Sequence, residues 1–554
     1  MDNIKVFALG GLDEDGKNMY VVEINDKIFV LECGLKYPET DQLGIEMIIP
    51  DFKYLIENKN RVKGVFISHG NDDVMAAIVN LVKEINVPIY TAPLTAYIIE
   101  DKFKKAGIKK YNLHRIQRNS KFKIDGIEIR TFGVTESIAD AMGVAIKTDK
   151  GFIVYSSEFI FDFDVKIEAF KCDITNLANI GQEGVLLLMT ESVASTREGH
   201  SAPKHKLTPI IESYFEETKD RICITMYNQN LFRIIEVIEL ANKYNRKIMF
   251  YDDELRSFMK EVEKLGYYHV PAGLEIVKSK FRNEMENVVV IISGAGSNIF
   301  KKVQTISTKE DPLLEFRPSD TIIIASPSVP GTEREANRME NGLYKEGAKV
   351  YATDKKRMFS MHAAIEDLKM MIYLFKPKYY MPVKGEYRQL ISNANIALDM
   401  GYQADKIIVM DNGQVATLKN GELEKTYGKI EVEDVLVDGK ASLDASGMVL
   451  RDRETLSTDG AIIVGVVINH STKKIIGGPD VQSRGVIYLK DADHIVKEIG
   501  NIMEKIITDA VKNKKYDNMG CRMEAREVIG KYVLKQTGKH PMILPAIVEI
   551  NSAE

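Results

Sequence analysis

Two rhythms alternate along this chain, and their order restricts its fold more than any single motif does. Over residues 1 to 200, short β-branched runs follow closely on one another: KVFALGG, NMYVVEIN, KIFVLECG, VKGVFISHG, IEIRTFGV, GFIVYSS and GVLLLMTES. Runs this dense, with helical stretches such as Asp73 to Ile85 between them, read as two stacked sheets flanked by helices. From 205 to 350 the helical periods lengthen, in RIIEVIELANKYN and TEREANRMENGLYKEG, and alternate with the apolar runs KIMFY, NVVVIIS and DTIIIASPSV. That is the pattern of a parallel α/β domain with right-handed crossovers. Strand and turn signals return at 350 to 420, so the α/β stretch reads as an insertion within the first domain. Residues 425–447 show few helical periods and read as a linker, and 448–554 read as a small α/β domain with two amphipathic helices over 491–538.

A chain of 554 residues is too long for one core, and 45% apolar with 28% charged residues is the balance of a well-folded globular protein. The net charge of −5 excludes a globally basic nucleic-acid binder, so any polyanion site must be local. One candidate is Lys102 to Lys123, with nine Lys or Arg, no acid, and Tyr111, His114 and Phe122 interleaved. Such a run either tracks a phosphate backbone or is a solvated helix-loop face. Cys33, Cys172, Cys223 and Cys521 are scattered without a CxxC pair, which reads as four reduced thiols. No secretory leader and no apolar stretch of membrane-spanning length is seen, so a cytoplasmic protein without membrane contact is expected.

The chemistry concentrates in VFISHGNDDVMAA, residues 65 to 77. An apolar strand ends on a His, as in loops of the form His-x-His-x-Asp-His that seat two metal ions. Here the sequence departs from that form and offers His69, Asn71, Asp73 and Val74. Ser68 beside His69, and the pair Ser156 and Ser157, lack the nucleophile elbow a serine hydrolase would need.

Further landmarks follow in order: ALGGLDEDGKNMYVVE, TESIADAMGVAI, YSSEFIFD, ASPSVPGTEREANR, FSMHAAIEDLKMMIYLFKPKYYMPVKGEYRQL, VDGKASLDASGMVLRDR and HPMILPAIVEI. Together they resemble ribonuclease J, a bacterial group of metallo-β-lactamase nucleases with a β-CASP insertion, over essentially the whole chain. The resemblance implies a metallo-β-lactamase αββα sandwich (1–204 and 351–424), an inserted parallel α/β β-CASP domain (205–350) and a small C-terminal α/β domain (448–554).

It also implies a metal site built from imidazoles and carboxylates, whose places fall on His69, Asn71, Asp73, Val74, Glu136, Glu158 and Lys384. Only His69 and Asp73 keep the family's residue, and with His362 they are the catalytic candidates. Asn71 is a poor ligand, Val74 has no donor atom, and Glu136 and Glu158 replace a His and an Asp. Lys384 stands in PVKGEYR where the family has PVHGEYR, and a protonated ammonium has no lone pair for a metal. We expect that ammonium to pair with Glu158 or Asp73 and to replace the metal charge. No tightly bound metal is expected; the competing reading is one weakly held Mn2+, Mg2+ or Zn2+ on His69, Asp73, Glu136 and Glu158.

RNA contacts implied by the resemblance fall on two loops. One is Ser360, Met361, His362, Ala363 and Ala364, where the family's Ser-Gly-His-Ala-Ser loop has lost its glycine and second serine; the other is Asn228, Gln229 and Asn230, followed by Phe232 in place of a His. Arg334 and Arg338 read as helix capping and surface charge, and the acidic loop GLDEDG as a discouragement to phosphate entry. The pattern is that of the degenerate second paralogue of the family, with weak or absent nuclease activity. Its expected partners are RNA and an active ribonuclease J, in homo- or hetero-dimers or tetramers. The alternative is a working 5′-3′ exoribonuclease, also endonucleolytic, that tolerates an altered metal set in mRNA decay and rRNA maturation.

Overall fold

Alternation along single strands builds the first layers. In the strand Asn3–Gly10, Ile4, Val6 and Ala8 point to one side and Phe7 and Leu9 to the other, all buried. A strand apolar on both faces needs cover on both. The computed structural model, which describes residues 2–38, 44–328, 332–353, 358–439, 441–444, 448–486 and 493–551, supplies it. Asn3–Gly10 lies in a mixed sheet with Met19–Ile24, Lys27–Leu31, Val62–Ile67, Pro88–Thr91, Asn112–Arg115 and Gln414–Lys419. A second sheet orders its strands as Tyr379–Val383, Val185–Glu191, Gly151–Tyr155, Met142–Thr148, Ile127–Gly133 and Lys121–Ile124.

One core lies between the sheets and joins Val6, Val22 and Phe29 to Ile153, Leu187 and Met381. Outside the first sheet, Leu55, Leu81, Ile99 and Phe103 cover Phe7 and Val65; outside the second, Leu177, Met371 and Ile372 cover Val154 and Leu188. This is the αββα sandwich expected from the strand rhythm. Two expectations are corrected. The stretch Asp73 to Ile85 is two helices, Asp72–Met75 and Ile78–Glu84, because the Ala77 N–H bonds the Cys33 carbonyl (3.0 Å) instead of continuing one helix. The stretch read as a linker carries strands Gly428–Lys429 and Val435–Asp438, drawn into register by Gln414–Lys419 and Met47–Ile49.

Residues 222 to 352 form a five-stranded parallel sheet, ordered Lys247–Phe250, Val288–Gly294, Ile222–Tyr227, Thr321–Ile324 and Lys349–Ala352. Ile222, Ile224 and Met226 pack on one side of it and Cys223 on the other. At the start of the central strand, Arg221 is fully buried. Its guanidinium grips Asp320 through Nε (3.1 Å) and Nη2 (2.5 Å), and also donates to the Asn283 and Glu315 carbonyls. Every N–H of the fork is aimed at an acceptor, which is what lets a charge sit so deep.

The C-terminal unit, Ala441 onward with Thr40–Ile45, has its own core. Its strand Ala461–Asn469 pairs antiparallel with Ile475–Arg484 and parallel with Met542–Ile550. The helices Asp493–Lys512 and Asn518–Thr537 cover that sheet with Ile499, Met503, Ala525 and Ile529.

Candidate functional site

Several strands deliver their last residues to one rim of the sandwich. Val62–Ile67 leads into Ser68 and His69, Ile127–Gly133 toward Glu136, and Gly151–Tyr155 into Ser156, Ser157 and Glu158. Val185–Glu191 ends on Glu191, and Tyr379–Val383 leads into Lys384. Three rim residues hold a left-handed backbone without being glycine: Glu32 (φ 70°), Ser157 (φ 63°) and Lys384 (φ 54°). Such positions are held only where the surroundings over-determine them.

The Lys384 side chain turns inward and is 2% exposed. Its Nζ lies 2.5 Å from Asp73 Oδ2 and also bonds Glu158 Oε1, so the ammonium sits between the two carboxylates named for it. Burial opposes its charge, but Asp73, Glu158 and Glu191 raise its pKa well above the ordinary lysine value. Glu158, by the same pairing, is held well below the usual carboxylate range against the cost of burial.

His69 is fully buried, with Nε2 at 3.3 Å from Glu158 Oε1 and Nδ1 at 2.7 Å from the Ser68 hydroxyl. Burial works against a charged ring, yet the carboxylates of Glu158 and Glu136 push it up to about 9. Ser68, itself 1% exposed, therefore orients an imidazole and is closed to any substrate. Glu136 accepts the Ile138 N–H (2.7 Å), and burial raises its pKa. His69, Glu136 and Glu158 each place one donor atom within 4.8 Å of the others, a group that can hold a metal ion. Asp73 stands apart from this trio, tied instead to Lys384 and to Asn18, whose Nδ2 donates to the Asp73 carbonyl (2.9 Å). Val74 is fully buried, and Asn71 opens the helix Asp72–Met75.

His362 reaches the same cluster from the FSMHAA loop. Its Nδ1 is 2.7 Å from Glu191 Oε2 and 3.4 Å from Glu158 Oε2, and these carboxylates, against burial, hold it up to about 9. Ser360 is half-buried, while Met361, Ala363 and Ala364 are buried. The N–H groups of Ala363 and Ala364 are bonded to Glu191 and Asp367. Asn228, Gln229 and Asn230 lie half-buried after the strand Ile222–Tyr227; Asn230 caps the next helix by accepting the Arg233 N–H. Phe232 packs edge-on against Phe170. Four of the nine cations in the run from Lys102 are ion-paired: Lys102 with Asp72, Lys105 with Asp101 and Glu254, Arg115 with Glu100, and Lys121 with Glu128. Of its rings, His114 and Phe122 stack on Tyr90, while Tyr111 lies against Phe103 and is partly exposed.

Two residues of the cluster escape a motif reading. Glu191 holds His362 and accepts the N–H groups of Phe159 and Ala363, and Asn18 fixes the Asp73 loop. An acid closing the apolar run LLLMTE was the available signal for the first. Gly34 also shapes the loop, since a Cβ there would lie 1.6 Å from the Asp73 carbonyl oxygen. Gly34→Ala is therefore expected to displace the Asp73 loop and to cost about 3 kcal/mol or more. A denaturation midpoint equal to that of the unmodified protein would count against this packing.

Comparison with known proteins now fixes the lineage. Over 99% of its length the chain is 32% identical to Ribonuclease J 2 of Staphylococcus epidermidis, covering 98% of that protein. The chain belongs to the ribonuclease J family. Ribonuclease J 2 proteins of Staphylococcus saprophyticus and Staphylococcus aureus match at 31% over the same span. Family models agree along the chain: the ribonuclease J β-CASP domain at 219–343, the Zn-dependent metallo-hydrolase RNA specificity domain at 348–405, and the ribonuclease J C-terminal domain at 448–550. A crystal structure of a protein of unknown function from Enterococcus faecalis shares the fold over 75% of this chain and 100% of its own, with TM-score 0.53 and 16% identity. The sandwich is thus a metallo-β-lactamase fold with a β-CASP insertion, and its RNA specificity domain makes RNA the ligand class. Among the described residues no helix is long and apolar enough to cross a membrane.

Proposed function

We propose that this ribonuclease J family member has a degenerate metal site, weak or absent nuclease activity of its own, and a role as a cytoplasmic subunit of an active ribonuclease J in RNA processing and decay. The observation that carries the reading is the Lys384 ammonium seated between Asp73 and Glu158. Two dications need lone pairs and negative charge, and the rim offers them poorly. Val74 has no donor, and the Lys384 ammonium already pairs with two of the carboxylates. Lys384, His69 and His362 face Asp73, Glu136, Glu158 and Glu191, so the chain's own cationic groups take up part of the charge that a metal pair would. The residues present do not fit a two-metal centre.

RNA is still bound in this reading, with Asn228, Gln229, Asn230, Ser360 and His362 facing phosphate. The domain limits we propose are 1–204 and 351–424 for the sandwich, 205–350 for the insertion and 448–554 for the C-terminal domain. A second reading, a metal-dependent 5′-3′ exoribonuclease, draws on the convergence of His69, Glu136 and Glu158. Incubation of partner-free protein with 5′-monophosphorylated RNA and Mn2+, beside Asp73→Ala, separates the two. We expect no cleavage above the Asp73→Ala background and well under one metal per chain by elemental analysis. Two metals per chain, with cleavage abolished in Asp73→Ala, would overturn the first reading. Partnership is tested by mixing with an active ribonuclease J and sizing the product.

A further inference from the structure

The groove between two helices of the β-CASP insertion carries charge that nothing above uses. It measures about 750 Å³ and runs between Asn298–Ser307 and Glu333–Lys345. Along the second helix, Arg334, Asn337, Arg338, Asn341 and Lys345 recur at intervals of three, one, three and four residues. Those intervals place them on a single helical face. The acids of that helix, Glu333, Glu335 and Glu340, fall outside the groove lining. Glu346, the one carboxylate of the lining, lies 3.8 Å from Lys309 Nζ. Among the described residues, Arg334, Arg338 and Lys345 have no ion-pair partner. At position 342 a glycine lets the helices approach, since a Cβ there would meet Ser307 Oγ at 2.9 Å.

The groove wall is rich in N–H donors, and its formal charge is positive, with Lys309, Arg334, Arg338 and Lys345 against Glu346 alone. It suits a ligand that accepts hydrogen bonds and carries repeated negative charge, which is a phosphodiester backbone. The span from Arg334 to Lys345 is roughly 16 Å along the helix axis. Its direction connects it to the candidate site. In a parallel sheet each crossover helix runs back against the strands, so Arg334 lies at the carboxyl edge, where Asn228 to Asn230 follow the strand Ile222–Tyr227. Lys345 lies at the opposite edge.

We propose that this groove is a second RNA-binding surface, which carries the backbone of a single strand away from the rim across the β-CASP insertion. The proposal rests on the RNA-binding reading above. It is tested by fluorescence anisotropy with 5′-monophosphorylated single-stranded RNAs of six and thirty nucleotides, titrated at several salt concentrations. The probe protein is the full chain, either unmodified or with Arg334→Ala, Arg338→Ala and Lys345→Ala together. The triple variant is expected to bind the long RNA roughly tenfold more weakly, with the slope of log affinity against log salt reduced by about 2. The short RNA, which fits within the rim, is expected to bind both proteins alike. Unchanged affinity and slope for the long RNA in a variant with the unmodified circular dichroism spectrum would overturn the groove and leave the rim reading standing. Equal weakening for both RNAs would also overturn it, and absence of RNA binding by the unmodified protein would remove both readings.

Discussion

Lys384→Met is expected to destabilise the sandwich by about 3 to 5 kcal/mol, the usual cost of removing one partner from a buried ion pair. Methionine keeps an unbranched apolar stem, in a side chain one atom shorter than that of lysine, and removes the ammonium with its charge and its hydrogen bonds to Asp73 and Glu158. Asp73 and Glu158 would then face each other with Glu136 and Glu191 nearby, and only His69 and His362 would oppose them. The variant should also free Asp73 and Glu158 from the ammonium and so add uncommitted carboxylate lone pairs beside the His69 imidazole. Its melting temperature is therefore expected to rise when Mn2+ is added, while that of the unmodified protein stays put. Thermal and urea unfolding, each with and without the ion, measure both effects. A variant as stable as its parent, or a parent that responds to Mn2+ as strongly as the variant, would refute the clasp.

Asp320→Ala should have an effect of similar size in a different place. It strips the bidentate acceptor from Arg221 and leaves a guanidinium fully buried with only carbonyl and amide oxygens for company. A loss of about 3 to 5 kcal/mol is expected, confined to the parallel sheet. Hydrogen exchange reads this locally: the amides of Ile222–Tyr227 and Val288–Gly294 should lose protection, while those of Asn3–Gly10 keep theirs. Uniform loss across both domains would mean that the chain unfolds as one unit and would contradict the expected local effect.

Much of the architecture was legible in the sequence because burial on two faces leaves a periodic trace. The run KVFALG alternates two apolar sets, and the structure buries each set in a different core. What could not be read locally was settled by long-range partners. Val435–Asp438 runs into an Asp-Gly turn pair, but that local signal names no partner strand; Met47–Ile49, far away in sequence, supplies it. The helix beginning at Asp72 breaks because a carbonyl at Cys33 competes for its N–H. The site shows the same division. The lysine in PVKGEYR marks a cation among carboxylates by residue type alone, but its orientation depends on a left-handed backbone that no pattern displays. Glu191 could not be assigned from its own neighbourhood, because its role as acceptor for His362 requires two chain segments 171 residues apart to meet.

The position of that lysine has one more effect. Asp73 follows a strand of one sheet and Glu158 a strand of the other, so a single covalently attached cation bridges the open edge of the two-sheet stack. A seam closed by a mobile ion depends on the ion's concentration and on chelators. A seam closed by a side chain is inherited with the polypeptide, so this contact between the two sheets is present as soon as the chain has folded.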